Sequence, residues 1–287
     1  MTNITTHGNV LGIKRSDSDT GIDGLFGYSA SDVENESRIE VVKNDFNYVL
    51  EEYKRILELS EGEVQLHNTN FVLSSLELQT FFTLTQKNQS CQTFNPNTGY
   101  YISKLIQNSY DNGYNGFKFI NRGKTACDHF FDSVKGTKNN PINIYFGGVV
   151  GFCFGQDSEN VNAIVKGEAL FSPFGSSKNV NLWMKGYAGS SFGYESINLT
   201  ATIVGFVSQF FGEHSTNLTA AIDGNSREAL GSNSTSIKIY LSGQCSMEPC
   251  NYGGEIFFGD DATNHNEYKR MMGKFDEKMK EFEEVFR

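Results

Sequence analysis

Few residues in this chain stand where chemistry could start. Cys127-Asp128-His129 sets a thiol, a carboxylate and an imidazole side by side, the groups from which a nucleophile and its base are made. No nucleophile-elbow or oxyanion-hole pattern surrounds the tripeptide, so a structural role is expected for it. A second constellation is the column Asp157, Ser176, Glu195, His214 and Asn233, each member 19 residues from the next, where paired carboxylates could act as general acid and base on a glycoside. Its carboxylates are two repeats apart, roughly 10 Å, too dispersed to act together and suited to solvated corners. His129, His214 and Asp157 are therefore expected to be non-catalytic, with Ala tolerated at each. Cys245 and Cys250 lack a second pair or a nearby His, and the five histidines (His7, His67, His129, His214, His265) share no ligand spacing. No metal site is expected. The glycine-rich segments lead into strands, not a helix N-terminus, and so form no phosphate cradle; no cofactor is expected.

The element that must carry all of these is a repeat. Gly148, Gly167, Gly186, Gly205, Gly224 and Gly243 stand 19 residues apart, in phase with Ser158, Ser177, Ser196, Ser215 and Ser234 and with Asn160, Asn179, Asn198 and Asn217. Before each glycine lies an apolar row of period two, such as Val161, Ala163, Val165 or Leu199, Ala201, Ile203. That is a strand with one buried face. A unit of this length cannot bury its own row, so the units must stack as about six coils of a parallel β-solenoid. Glycines mark bends or close coil-to-coil approaches, and the asparagines mark corners where a left-handed backbone is tolerated. Phe154, Phe174, Phe192, Phe211 and Leu230 supply an interior ladder.

The unit Gly148-x-x-Gly151-x-x-x-Gly155-x-x-Ser158-x-Asn160, repeated as Gly186-x-x-Gly189-x-x-x-Gly193-x-x-Ser196-x-Asn198, resembles the GXGXXG-type repeats found in the C-terminal domain of the large chain of glutamate synthase and in one of the chains of formylmethanofuran dehydrogenase. The resemblance spans about residues 123–259. Here Asn plus an apolar residue replaces the family's paired glycine at the strand entrance. The resemblance implies a right-handed β-helix, a structural module with no catalytic residues to transfer, and membership of an oxidoreductase or amidotransferase-like complex.

The chain divides into a mobile leader at 1–30, a helical region at 31–122, the solenoid at 123–260 and an amphipathic helix at 261–287. The row Ile39, Val42, Phe46, Val49, Tyr53 and Ile56 predicts a helix of about 25 residues from Ser31. Further helices are expected over about 69–86 and from Tyr100 to Asn112, and a strand at Phe117–Ile120. In the C-terminal helix Phe275, Met279 and Phe282 lie in a row of seven-residue spacing, which suggests coiled-coil-like packing against the N-terminal row or a second subunit. Across 287 residues, 38% hydrophobic and 13% aromatic content supplies a large core, and a net charge of −10 argues against nucleic acid. No apolar stretch approaches the roughly 18 residues of a membrane span. The N-terminal residues lack a secretory or transit pattern, and the five cysteines are sparse and odd in number, which suits a reducing compartment. The expectation is a cytoplasmic, non-enzymatic scaffold whose partner is protein, either its own copy or another member of a complex. A subunit of a complex of the resembling types, or a carbohydrate-active solenoid enzyme, are the alternatives.

Overall fold

The computed structural model describes residues 46–88, 96–122, 126–246 and 253–286. The expected leader, and the first expected helix before residue 46, lie outside the described residues. The apolar rows become one eight-stranded sheet whose order is the chain order. Its strands are β1 (Gly116–Ile120), β2 (Ile142–Phe152), β3 (Glu159–Phe171), β4 (Lys178–Ser190), β5 (Ile197–Val207), β6 (Thr216–Asp223), β7 (Ile237–Leu241) and β8 (Gly254–Phe258). Every neighbouring pair is parallel, and the 19-residue columns are the register from β2 to β7: Ile144, Ala163, Leu182, Ala201, Ala220 and Ile239 are successive partners, and Ile256 of β8 follows after a shorter step of 17. This is a parallel β-solenoid of about six turns with flanking helices.

The glycine column works by close approach. Gly167, Gly186, Gly205 and Gly224 have φ between +145° and +154°, and a Cβ on Gly186 would lie 1.8 Å from the carbonyl oxygen of Gly167. At the next corner Asn160, Asn179, Asn198 and Asn217 all take left-handed φ of 54–60°. Their amides bond along the stack, Asn179 to Asn160 at 3.0 Å and both Asn198 to Asn179 and Asn217 to Asn198 at 2.7 Å. One residue type thus meets a backbone requirement and links the coils.

Phe154, Phe174, Phe192 and Phe211 are fully buried and meet ring to ring at 5.3, 6.1 and 5.4 Å. Phe174 reaches the ladder from the column of Gly155 and Gly193, where it takes their left-handed conformation at φ 55°, because Pro173 holds the place of the other phenylalanines. The interior continues through Phe131 and Phe130 into the helices, with Phe82 5.0 Å from Phe130.

Four helices close the first end: α1 (Phe46–Ile56), α2 (Glu61–Leu66), α3 (Ser75–Asn88) and α4 (Pro96–Asp111). Val49, Tyr53 and Ile56 of α1 are buried, and the Tyr53 ring packs 5.3 Å from Phe81. α3 starts later than the spacing predicts because Ser74 and Glu77 form a capping box, Glu77 accepting from the Ser74 amide at 2.6 Å and donating its own to the Ser74 hydroxyl at 3.3 Å. α4 starts four residues earlier than expected, at Pro96, whose fixed φ suits the first turn.

The C-terminal segment is α5 (Gly259–Asn264) and α6 (Asn266–Val285), and its packing differs from the expectation. α6 lies on the outer face of its own sheet, not on α1. Tyr145 of β2 donates to Glu281, Lys278 sits 5.4 Å over the Trp183 ring of β4, and Tyr268 and Met271 cluster with Ala221 and Tyr240 of β6 and β7. Phe275 and Phe282 are buried there and Met279 is half-buried. Among the outward positions beneath the helix Ile164, Trp183, Ala221 and Tyr240 are accordingly apolar or aromatic, and Thr202, in the same column, is buried with them.

Candidate functional site

The thiol, carboxylate and imidazole of residues 127–129 are spread over different tasks. Cys127 is fully buried, and burial pushes its thiol pKa well up. Asp128 turns its carboxylate to the Phe152 amide, accepting at 2.8 Å. A Cβ on Gly151 would fall 1.7 Å from that same oxygen, so the glycine makes room for the latch. His129, at φ 55°, stacks on Tyr100 of α4 with centroids 4.3 Å apart and pairs with Asp132 at 3.1 Å. The Ser103 hydroxyl of α4 donates to the His129 carbonyl at 3.2 Å. The tripeptide therefore fastens the helical cap to the first coil, and His129 makes contacts that an Ala there would lose.

Cys153, the nearest half-buried thiol, is pushed up to about 11 by burial and then by the charges of Asp132, Asp128 and Asp157. A thiol held protonated is a poor nucleophile. Burial, followed by Asp132, also raises the Asp157 carboxyl. Asp128→Ala should cost about 1–3 kcal/mol in a urea melt, because the Phe152 amide loses its acceptor, whereas Cys153→Ser should melt nearly as the parent does. Equal melts for the two would show that the latch has no role.

The other sequence candidates stay apart. His214 is exposed beside Glu213 at 3.9 Å and edge-on to Tyr194. Cys250, and with it any Cys245–Cys250 pairing, lies outside the described residues, as does His7. Among the described residues no group of three His, Cys, Asp or Glu side chains is arranged to hold a metal ion, and no helix is long and apolar enough to cross a membrane. Gly148, Gly243 and the rest of the glycine and asparagine columns serve the backbone, in bends, close approaches and corners.

What the columns did not single out is an aromatic surface. Beyond the glycine bend, Val150, Ala169, Ala188 and Val207 point inward and are buried. Phe152, Phe171, Phe206 and Phe210 are 51%, 43%, 39% and 37% exposed. Phe152 and Phe171 are register partners with centroids 5.5 Å apart, and Tyr187 stacks on Phe206 at 5.9 Å, nearly coplanar at 8°. Phe210 holds its bulky side chain at φ 62°, where the equivalent positions carry Cys153, Ser172 and Ser191; such a conformation costs on the order of 1–2 kcal/mol. The 19-residue spacing of 152 with 171 and of 187 with 206 was the signal available in the sequence. No protein-family model matches the chain, and no curated protein or solved structure does either.

Proposed function

We propose that the protein is a non-catalytic interaction scaffold, in which the solenoid is a rigid block and the aromatic surface of Phe152, Phe171, Tyr187, Phe206 and Phe210 receives an apolar surface of a partner protein. The observation that carries this reading is that rings meet in register between adjacent coils at the surface, exposed Phe152 with exposed Phe171 and half-buried Tyr187 with exposed Phe206. Paired aromatic rings left at the surface favour a recognition role, and Phe210 keeps its exposed ring despite the conformational cost. The free thiols of Cys127 and Cys153 favour a cytoplasmic setting.

The test is quantitative: protein retained by the tagged parent from its native cell extract should fall at least about tenfold for Phe171→Ser with Phe206→Ser, since burying each ring contributes roughly 1.5–3 kcal/mol. Retention that does not change removes the reading. The same experiment addresses the second reading, a subunit of an oxidoreductase or amidotransferase-like complex, which rests on the resemblance of the repeats. A cofactor-bearing protein among those retained would favour it.

A further inference from the structure

The asparagine column is a one-way chain of hydrogen bonds, and its last link is open. The Asn160 side chain donates to the Gly136 carbonyl at 2.9 Å. From there each carboxamide donates its N–H to the oxygen of the one in the coil before it, ending with Asn217 on Asn198 at 2.7 Å. Oδ1 of Asn217 is thereby turned toward the next coil, where Ser236 stands 19 residues on. The serine does not continue the chain, and among the described residues nothing donates to Oδ1 of Asn217. Hydrogen bonds in a chain polarise one another, so this terminal oxygen is a stronger acceptor than that of an isolated amide.

Two preferences are set aside at position 236. Its backbone is left-handed at φ 55°, a conformation that Asn tolerates better than Ser, and Asn there would add a further amide to the ladder. Serine forgoes both and leaves an open recess of about 460 Å³, a size common among small-molecule sites. The side chains around it are polar: Asn217, Thr219, Ser236, Lys238 and Glu255. Lys238 and Glu255 are both exposed and 3.6 Å apart, a weak pair that presents one charge of each sign.

We propose that this recess binds a primary carboxamide, the side-chain group of asparagine and glutamine. The ligand's NH2 takes the place of the missing link, donating to Oδ1 of Asn217 as Asn217 donates to Asn198, and its oxygen accepts from the Ser236 hydroxyl. Lys238 and Glu255 complement a carboxylate and an ammonium, so a free amino acid is one source of the group and the side chain of a peptide is the other. The recess shares no residue with the aromatic surface, and this inference is independent of it.

Titration calorimetry with asparagine and glutamine, each beside its acid, tests it. An amide should bind saturably and the matching acid should not, because a site built for an N–H donor rejects the analogue that lacks it. Attraction to Lys238 works the other way, so failure of the acid isolates the donor. Ser236→Asn supplies the missing amide from within the chain: it should melt no lower than the parent and weaken ligand binding at least about tenfold. Asn217→Gly keeps the left-handed backbone, removes the acceptor and should lose binding too; should Ser236→Asn fail to fold, it decides alone. Glutamine capped at both ends separates the sources. Capped glutamine that binds as the free amino acid does supports the proposal with a peptide side chain as ligand, and weaker binding supports it with the free amino acid. The Phe171→Ser, Phe206→Ser variant should bind as the parent does, which separates this recess from the aromatic surface. A parent that binds neither amide, an acid that binds as well as its amide, or binding untouched by Ser236→Asn overturns the proposal.

Discussion

Gly186→Val should destabilise the protein by about 4 kcal/mol, the largest effect expected of any single substitution in the solenoid. Two penalties combine. Gly186 has φ +145°, a conformation that a β-branched residue avoids, and its Cβ would lie 1.8 Å from the Gly167 carbonyl oxygen. That oxygen is backbone in a sheet paired on both sides and cannot move aside without breaking the register of two coils. The clash runs toward the preceding coil: Gly186 meets Gly167, as Gly205 in turn meets Gly186. Asn181→Val is the control. Asn181 is exposed and gives up one ladder bond to Asn162 at 2.9 Å, a loss that the strand preference of Val offsets to within about 1 kcal/mol. Urea melts of both variants decide the matter, and coincident curves would mean that the glycine column does not set the coil spacing.

The columns made the solenoid legible because in a stacked fold one position is the same place in every coil. The backbone demand that selects Gly at 186 recurs at 167 and 205, and the demand that selects Asn at 198 recurs at 179 and 217, so repetition turned local chemistry into a visible pattern. Phe174 is where that pattern fails: beside Pro173 it fills the aromatic ladder from the glycine column, a compensation visible only in three dimensions. The aromatic surface was harder to see. Tyr187 pairs with Phe206 and Phe152 with Phe171 in different columns, and an exposed phenylalanine carries no mark in a sequence to set it apart from a buried one. Asp128 and His129 were legible as residues and not as a latch, since their partners, Phe152 and Tyr100, lie 24 and 29 positions away along the chain.

Phe275→Ser together with Phe282→Ser should release α6 from the sheet. The seven-residue row was readable, but its partner was not, because a heptad along a helix covers about 10.5 Å and two coils of a solenoid about 9.6 Å. A row of heptads therefore fits the repeat of a parallel sheet almost as well as it fits another helix. Length agrees: the 20 residues of α6 span about 30 Å, close to the roughly 34 Å across eight strands. The helix runs the width of the sheet, from Tyr268 over β6 and β7 to Val285, whose carbonyl accepts from Lys118 of β1 at 3.4 Å. Its exposed ion pair, Lys166 with Glu283 at 3.8 Å, adds little, so the apolar row holds it. Removing two buried rings should cost roughly 3–6 kcal/mol in all, enough to lower the melting temperature and uncover Ile164 and Tyr240. Trp183, the one tryptophan of the chain, lies under Lys278 and reports the change directly: its emission should shift to the red while the β signal in circular dichroism persists. If emission and melting temperature both stay with the parent's, α6 is not held by this row.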